Sequence, residues 1–254
     1  MANEEIGEAL AAARRDRSRR VDLGPDRLDE TEAYRVQDHA ASAYESPMIG
    51  YKIGATSPEA QKIIGCDAPF FGPMLETDRF ETGARLAADD TMLGLECEIA
   101  FQMARDLAPA DGVPDRAGLM EAIACCAPAL EVVGRRTLGD GFPNAAQCIA
   151  DFGANALFCA GSAIVDWQTR DLATLPVAAA IDGTQTNAGT PAAVLGHPLD
   201  ALAWLVGALH EKGKPLQAGH WISTGTCLGV VPVKPGTEVL ATFGEVGELV
   251  VAFD

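Results

Sequence analysis

The stretch LGLECEIAF, residues Leu93–Phe101, alternates apolar side chains with small or acidic ones. A strand turns successive side chains to opposite faces. Leu93, Leu95, Cys97, Ile99 and Phe101 therefore share one face, continued by Met103. Gly94, Glu96, Glu98, Ala100 and Gln102 share the other. The strict alternation marks a long strand with one apolar face, and so a β-rich core. It also sets two carboxylates side by side, with Cα atoms roughly 6.5 Å apart at two residue rises. Like charges on one face repel, and a glycine beside them weakens the strand. For the pair alone, two readings stand. One is an exposed face with two solvated acids. The other is a cation site, with Gly94 and Ala100 leaving room for the ion.

A third acid can be nominated. ALEVVGRR places Glu131 in another short apolar strand after Pro128; a lone glutamate there also reads as an edge or surface residue. Three carboxylates with no matching histidine or cysteine specify a hard cation, Mg2+ or Mn2+. Zinc would recruit histidine or cysteine. The histidines, His39, His197, His210 and His220, show no ligand spacing and read as structural or exposed.

Around this strand the chain changes character. The first part is helical: Ile6, Ala9, Leu10 and Ala13 fall at helical spacing, and Glu30–Glu45 predicts a second helix. Ser57 as N-cap, Pro58 at the first helical position and Gly65 as a stop predict a short third helix. Between the second and third, MIGYKIGAT is strand-like. From Pro69 onward strands, glycine and proline turns and occasional helices take over. VPDRAGLMEAIACCAP predicts a helix running into the strand ALEVV. HPLDALAWLVGALHEKG predicts a helix with Leu199, Leu202, Leu205, Val206 and Leu209 on one face. HWISTGT and VVPVKPG read as strand and turn, DGTQTNAG as a hairpin loop, and TEVLATFGEVGELVVAF as a hairpin. The expected organisation is α+β: a helical N-terminal segment over residues 1–68 and a β-rich catalytic domain over 69–254.

Bulk properties narrow the partners. The 254 residues carry 36 acids against 19 bases, a net charge of −17. Such a surface repels nucleic acid and anionic membrane, so neither is an expected partner. The odd set of seven cysteines, with no CxxC, reads as reduced cytosolic thiols. No apolar run looks long enough to span a bilayer, and the acidic N-terminus does not read as a secretory signal. A cytoplasmic protein is expected. No Walker loop, GxGxxG or GxSxG is present, so nucleotide binding and serine hydrolysis have no support. Lys52, in GYKIGAT, reads either as a strand lysine reaching water or as a lysine lining an anion site, with Gly50 and Gly54 allowing close backbone approach. STGT, Ser223–Thr226, offers hydroxyls at a strand end suited to a carboxylate.

In order along the chain, GYKIGATS, GCDAPFFG, LECEIAF, ALEVVGRR, IADFGAN, AAVLGHPLDALAWL and AGHWISTGT resemble the 2-keto-4-pentenoate hydratase and 4-oxalocrotonate decarboxylase group of the fumarylacetoacetate hydrolase superfamily. The likeness runs from about residue 30 to the C-terminus. The resemblance implies a rolled mixed β-structure, with packed helices and a small helical N-terminal part. It implies a divalent metal, Mg2+ or Mn2+, on Glu96, Glu98 and Glu131. It implies a catalytic role for Lys52 and substrate contacts from Thr224, Thr226, Arg136, Asp151 and Asn155. The implied reaction is hydro-lyase chemistry: water adds to a 2-hydroxy-2,4-dienoate or 2-oxo-enoate to give a 4-hydroxy-2-oxo acid. A 2-oxo acid decarboxylase, an acylpyruvate-type C–C hydrolase and a non-catalytic metal-binding homologue in a complex are the alternatives. The group further implies a homo-oligomer, or a complex with a related decarboxylase or hydratase. Three positions depart from the group. Phe70 stands where many members have an acid, Gly134-Arg135 where Asp-Ser is usual, and His220 where Asp is usual.

Overall fold

The computed structural model describes residues 1–24 and 27–254. Its helices are α1 (Asn3–Arg15), α2 (Glu30–Tyr44), α3 (Pro58–Ile64), α4 (Arg116–Glu121), α5 (Ala145–Ala150) and α6 (Pro198–Glu211). Its strands are β1 (Met48–Gly54), β2 (Phe70–Leu75), β3 (Ala84–Leu86), β4 (Met92–Met103), β5 (Ile123–Gly134), β6 (Asn155–Ala160), β7 (Val177–Ile181), β8 (Thr184–Gly189), β9 (Trp221–Thr226), β10 (Glu238–Phe243) and β11 (Glu248–Phe253). They form a six-stranded sheet, β2-β1-β9-β4-β5-β6, and a five-stranded one, β3-β11-β10-β7-β8. Each sheet is mixed: β1 runs parallel to β9 and β3 parallel to β11, among antiparallel neighbours. The fold is α+β with a rolled β-core and helices at the N-terminus.

β4 is the long central strand. Its Leu95, Cys97, Ile99, Phe101 and Met103 face is buried, in one core with Leu130 and Val132 of β5, Ile222 of β9, and Val239, Ala241, Phe243, Val251 and Phe253 of the smaller sheet. α6 buries Leu199, Ala201, Leu202, Leu205, Val206 and Leu209 in the same core. Residues 191–211 are apolar enough by composition to cross a membrane, with mean hydropathy 1.5, which the sequence expectation did not allow for. The α-helix within them has 14 residues and buries one whole face in the protein.

Local signals set several elements. Ser57 caps α3 by accepting from Ala60 N at 3.2 Å, and Gly65 ends it at φ 77°. Asp29 and Glu32 cap α2 reciprocally, each side chain accepting from the other's backbone N–H. Two expectations need correction. The helix before β5 ends at Glu121, and Ile123–Pro128 are strand, because β4 offers pairing partners from Met92 to Met103. TQTNAG is not a loop but strand β8; Asp182 and Gly183 alone make the turn, and β8 pairs with β7. In addition, β1 lies within the first 68 residues yet sits inside the larger sheet, between β2 and β9.

The N-terminal helices are bound to the sheet by specific contacts. Gly7 lets α1 approach α2 closely: a Cβ there would lie 2.6 Å from His39 Cβ. Gln37 of α2 donates to Phe71 O at 3.0 Å and to Ile149 O at 2.7 Å, joining α2 to β2 and α5. Between α5 and β6, the residues Phe152, Gly153 and Ala154 have φ of 56°, 65° and 60°. Each non-glycine residue in that left-handed region costs about 1–2 kcal/mol. This turn lies against β2: a Cβ on Gly72 would stand 2.2 Å from Phe152 O. Because that neighbour is backbone, a side chain there cannot be accommodated by a rotamer change. Gly72→Ala is expected to destabilise the protein by ~1–3 kcal/mol, read as a lower urea midpoint with unchanged slope.

Candidate metal centre

The polar face of β4 lies between β9 and β5. The β4–β5 register sets Glu96 opposite Glu131. One carboxylate oxygen from each of Glu96, Glu98 and Glu131 lies within 4.8 Å of the others. Glu98 and Glu131 are fully buried and Glu96 half-buried. The cluster is therefore not a solvated strand face. The parallel β1–β9 pairing sets Lys52 beside Ser223, on the same side of the sheet. Lys52 is 3% exposed, and its Nζ lies 3.3 Å from Glu131 Oε1.

Each buried acid has defined partners. Glu98 Oε2 accepts from Ser223 Oγ at 2.5 Å and from Gly225 N at 2.8 Å. Both donors arrive through a bulge in β9: Ser223 pairs with Ala100 and Thr226 with Glu98, so β9 spends an extra residue here. Gly225 sits at φ 117°, and a Cβ on it would lie 2.3 Å from Thr56 Oγ1, so only glycine fits. Glu131 Oε1 accepts from Asn155 Nδ2 at 2.9 Å. Among the described residues, Glu98 Oε1 and Glu131 Oε2 have no hydrogen-bond partner.

Two orphaned carboxylate oxygens in a buried acidic cluster are costly without a counter-charge. Three carboxylates and one lysine leave two negative charges, which a divalent cation balances. The all-oxygen donor set suits a hard ion. The residues therefore fit a divalent cation. Burial pushes the Glu96 carboxyl up to about 7, with Glu131 adding to the rise and Lys52 opposing it. Burial also raises Glu98 well above the usual carboxylate range; Glu131 and Glu96 add to it, while Lys52 and Ser223 oppose. For Lys52, burial disfavours the ammonium, but Glu131, Glu96 and Glu98 outweigh it and hold the group above its ordinary value.

The other sequence-predicted residues are placed less directly. The Thr224 hydroxyl donates to Ile99 O at 2.8 Å and that of Thr226 to Gly229 O at 2.9 Å, so both serve backbone. Within STGT, the groups on the cluster are the Ser223 hydroxyl and the Gly225 amide, which sequence reasoning did not single out. The bulge shifts the parity of β9, and no pattern in the sequence announces it. Arg136 and Asp151 form a buried pair with each other, Arg136 Nε donating to Asp151 Oδ1 at 2.6 Å, beneath the left-handed turn. Asn155 does reach the cluster, through Glu131. Gly94 does not leave room for an ion: a Cβ there would lie 2.7 Å from Val231 O, and Leu95 N donates to that same carbonyl. Ala100 is packed with Met74, Ala129 and Phe158. Phe70 faces the same side as Lys52, its ring over Gly54, where a Cβ would lie 2.5 Å from the ring. Two surface clefts, of about 390 and 300 Å3, are lined around Arg170 and Glu245 and around Tyr51 and His220, and neither is lined by Glu96, Glu98 or Glu131.

The model of the fumarylacetoacetate (FAA) hydrolase C-terminal family matches residues 71–253. A 2-keto-4-pentenoate hydratase of Burkholderia vietnamiensis (strain G4 / LMG 22486) is 33% identical over 229 residues, covering 89% of this chain and 86% of its own. A 2-hydroxyhexa-2,4-dienoate hydratase of Comamonas testosteroni is 31% identical over 239 residues, covering 92% and 89%. Among solved structures, the 4-oxalocrotonate decarboxylase from Pseudomonas putida G7, complexed with magnesium and adipate, superposes with a TM-score of 0.86 at 25% identity, covering 99% of this chain and 97% of that one.

The raised carboxyls give a pH test. A ligating carboxylate must be ionised. With its carboxyl pushed up to about 7, Glu96 would hold its proton below that pH and release it if it bound a cation. Mn2+ titrated calorimetrically into chelator-stripped protein should displace protons near neutrality, and its affinity should fall as the pH is lowered from about 8 to about 6. A pH-independent affinity across that range would contradict the shift.

Proposed function

The chain belongs to the fumarylacetoacetate hydrolase C-terminal family, and from that premise we propose that it adds water to a 2-hydroxy-2,4-dienoate, by way of the 2-oxo-3-enoate, to give a 4-hydroxy-2-oxo acid. It is a hydratase-type enzyme, as its relatives along most of its length indicate. The observation that carries the reading is the buried lysine paired with one of three convergent carboxylates, two of which keep an unpartnered oxygen.

Glu96, Glu98 and Glu131 would hold Mg2+, with Mn2+ as the substitute. The bound cation would supply Lewis acidity for the negative charge that develops along the C2 oxygen and its conjugated chain. The protein's own groups do the rest. Lys52 Nζ carries a proton at neutral pH and stands beside the acids, so it pairs with the anionic end of a 2-oxo acid and can give a proton to the substrate carbon chain. Ketonisation moves the proton of the 2-hydroxyl to the far end of the diene. Water then adds at C4, with a proton delivered to C3. Ser223 and Gly225 hold Glu98, and Asn155 holds Glu131, so the carboxylates do not swing during these transfers. Phe70 neither holds nor moves a proton, so proton handling falls to Lys52 and the acids. Burial of Lys52 excludes bulk water from the reacting end.

A second reading is decarboxylation on the same site, favoured by the near-complete superposition on the decarboxylase. The two differ in product. Chelator-stripped enzyme reloaded with Mg2+ should bleach the ultraviolet absorbance of 2-hydroxypenta-2,4-dienoate and form a 4-hydroxy-2-oxo acid without CO2; CO2 from an unsaturated 2-oxo diacid would favour the second reading. Glu98→Gln should lose both cation binding and turnover. Lys52→Met should keep cation binding but lose on the order of 100-fold or more in kcat. Turnover by Lys52→Met at the wild-type rate would sink the assignment.

A further inference from the structure

We infer that Arg14, on the first helix and distant in sequence from every residue of the acidic site, is a positioning residue that sets the polarity of Asn155 and through it orients Glu131. The inference rests on the reading that Glu131 holds a cation.

Arg14 is 5% exposed and spends its guanidinium on four acceptors around β6 and the turn before β3. Nε donates to Asp78 Oδ2 at 2.9 Å, Nη1 to Asn155 O at 2.7 Å, and Nη2 to Asn155 Oδ1 at 2.9 Å and to Ala156 O at 3.2 Å. Asp78 is held in turn by Tyr44 Oη at 3.1 Å. The guanidinium carbon stands 4.4 Å from the centroid of the Phe152 ring, so the same side chain also covers the left-handed turn.

The chemistry of arginine gives this arrangement its direction. A guanidinium has donors and no acceptor. The amide atom of Asn155 that faces it must therefore be the oxygen. The amide nitrogen then points the other way and donates to Glu131 Oε1 at 2.9 Å. Lys52 lies on the same oxygen at 3.3 Å. With two donors on Oε1, Oε2 is left without a partner among the described residues, and it is the oxygen a cation would take. A flipped amide would set its oxygen against the carboxylate and repel it.

The same clamp reaches Lys52 by a second route. A Cβ on Gly153 would lie 3.2 Å from Lys52 Cδ, so the left-handed turn packs directly on the lysine stem. Arg14 grips that turn at Phe152 and at Asn155, on either side of Gly153. Lysine cannot replace arginine here, because a single ammonium cannot reproduce the planar fork that spans Asp78, the 155 carbonyl and the 155 side chain.

The test is a double-mutant cycle on Mn2+ affinity, measured by calorimetric titration of the chelator-stripped full chain, with circular dichroism on each variant. Arg14→Lys and Asn155→Ala should each weaken Mn2+ binding by about 10-fold, the size typical of groups that orient metal ligands. If Arg14 acts through Asn155, the double variant should bind no more weakly than Asn155→Ala alone. A purely structural arginine would give losses that multiply, and that result overturns the inference, as does wild-type affinity in Arg14→Lys. Should Arg14→Lys fail to fold, Asn155→Ala, which keeps the other three bonds of Arg14, tests the second link; wild-type Mn2+ binding by it overturns the inference. Glu98→Gln separates the two levels. If it binds Mn2+ like wild type, the cation reading fails and this inference with it; if it loses binding while Arg14→Lys does not, this inference alone fails.

Discussion

Three carboxylates within 4.8 Å of one another, on a buried sheet face, are the constraint around which the rest of the site is organised. Were all three ionised, each pair of charges at that separation would repel by roughly 3 kcal/mol, taking an effective dielectric of about 20. Summed over the cluster, the repulsion is comparable to the whole folding stability of a domain, about 5–15 kcal/mol. The fold meets it with proximate donors: Lys52 and Asn155 on Glu131, Ser223 and the Gly225 amide on Glu98. Among the described residues, those donors leave one oxygen each on Glu98 and Glu131 unsatisfied, and a divalent cation would complete the balance.

Supplying those donors from three different strands explains several otherwise costly features. β1 must lie parallel to β9 to put Lys52 beside Ser223. β9 must carry a bulge at glycine to turn an amide and a hydroxyl onto one carboxylate. The chain before β6 must pass close over Gly72 and Lys52, which forces three successive left-handed residues. The buried Arg136–Asp151 pair and the Arg14 clamp hold that turn from both ends, so the N-terminal helices support the site rather than merely preceding it.

Much of this was legible from local pattern. Alternation in β4 places Glu96 and Glu98 on one face whatever the sheet does around it, and Ser57, Pro58 and Gly65 bound α3 by capping chemistry alone. Elsewhere local pattern misled. Ile123–Pro128 reads as the end of a helix but pairs with β4, and TQTNAG reads as loop but pairs with β7, because pairing partners distant in the chain decide such short segments. Gly94 looked like room for an ion and is instead the place where Val231 crosses β4. The family resemblance points to Thr224 and Thr226 as substrate contacts; the bulge turns Ser223 and Gly225 inward and leaves the threonines on backbone carbonyls.

The sequence by itself determined which residues could share a face and which chemistry they could offer: two acids at a period of two, a third in a neighbouring apolar run, a lysine between glycines, and no soft ligand to match them. These follow from backbone geometry and residue type, which act over a few positions. Only the tertiary structure decided that the three acids converge, that Lys52 reaches Glu131, that Arg136 and Asp151 serve each other, and that Arg14 turns Asn155 toward the site. Those outcomes depend on strand order, a bulge and close backbone contacts between segments far apart in the chain, and no local preference encodes them.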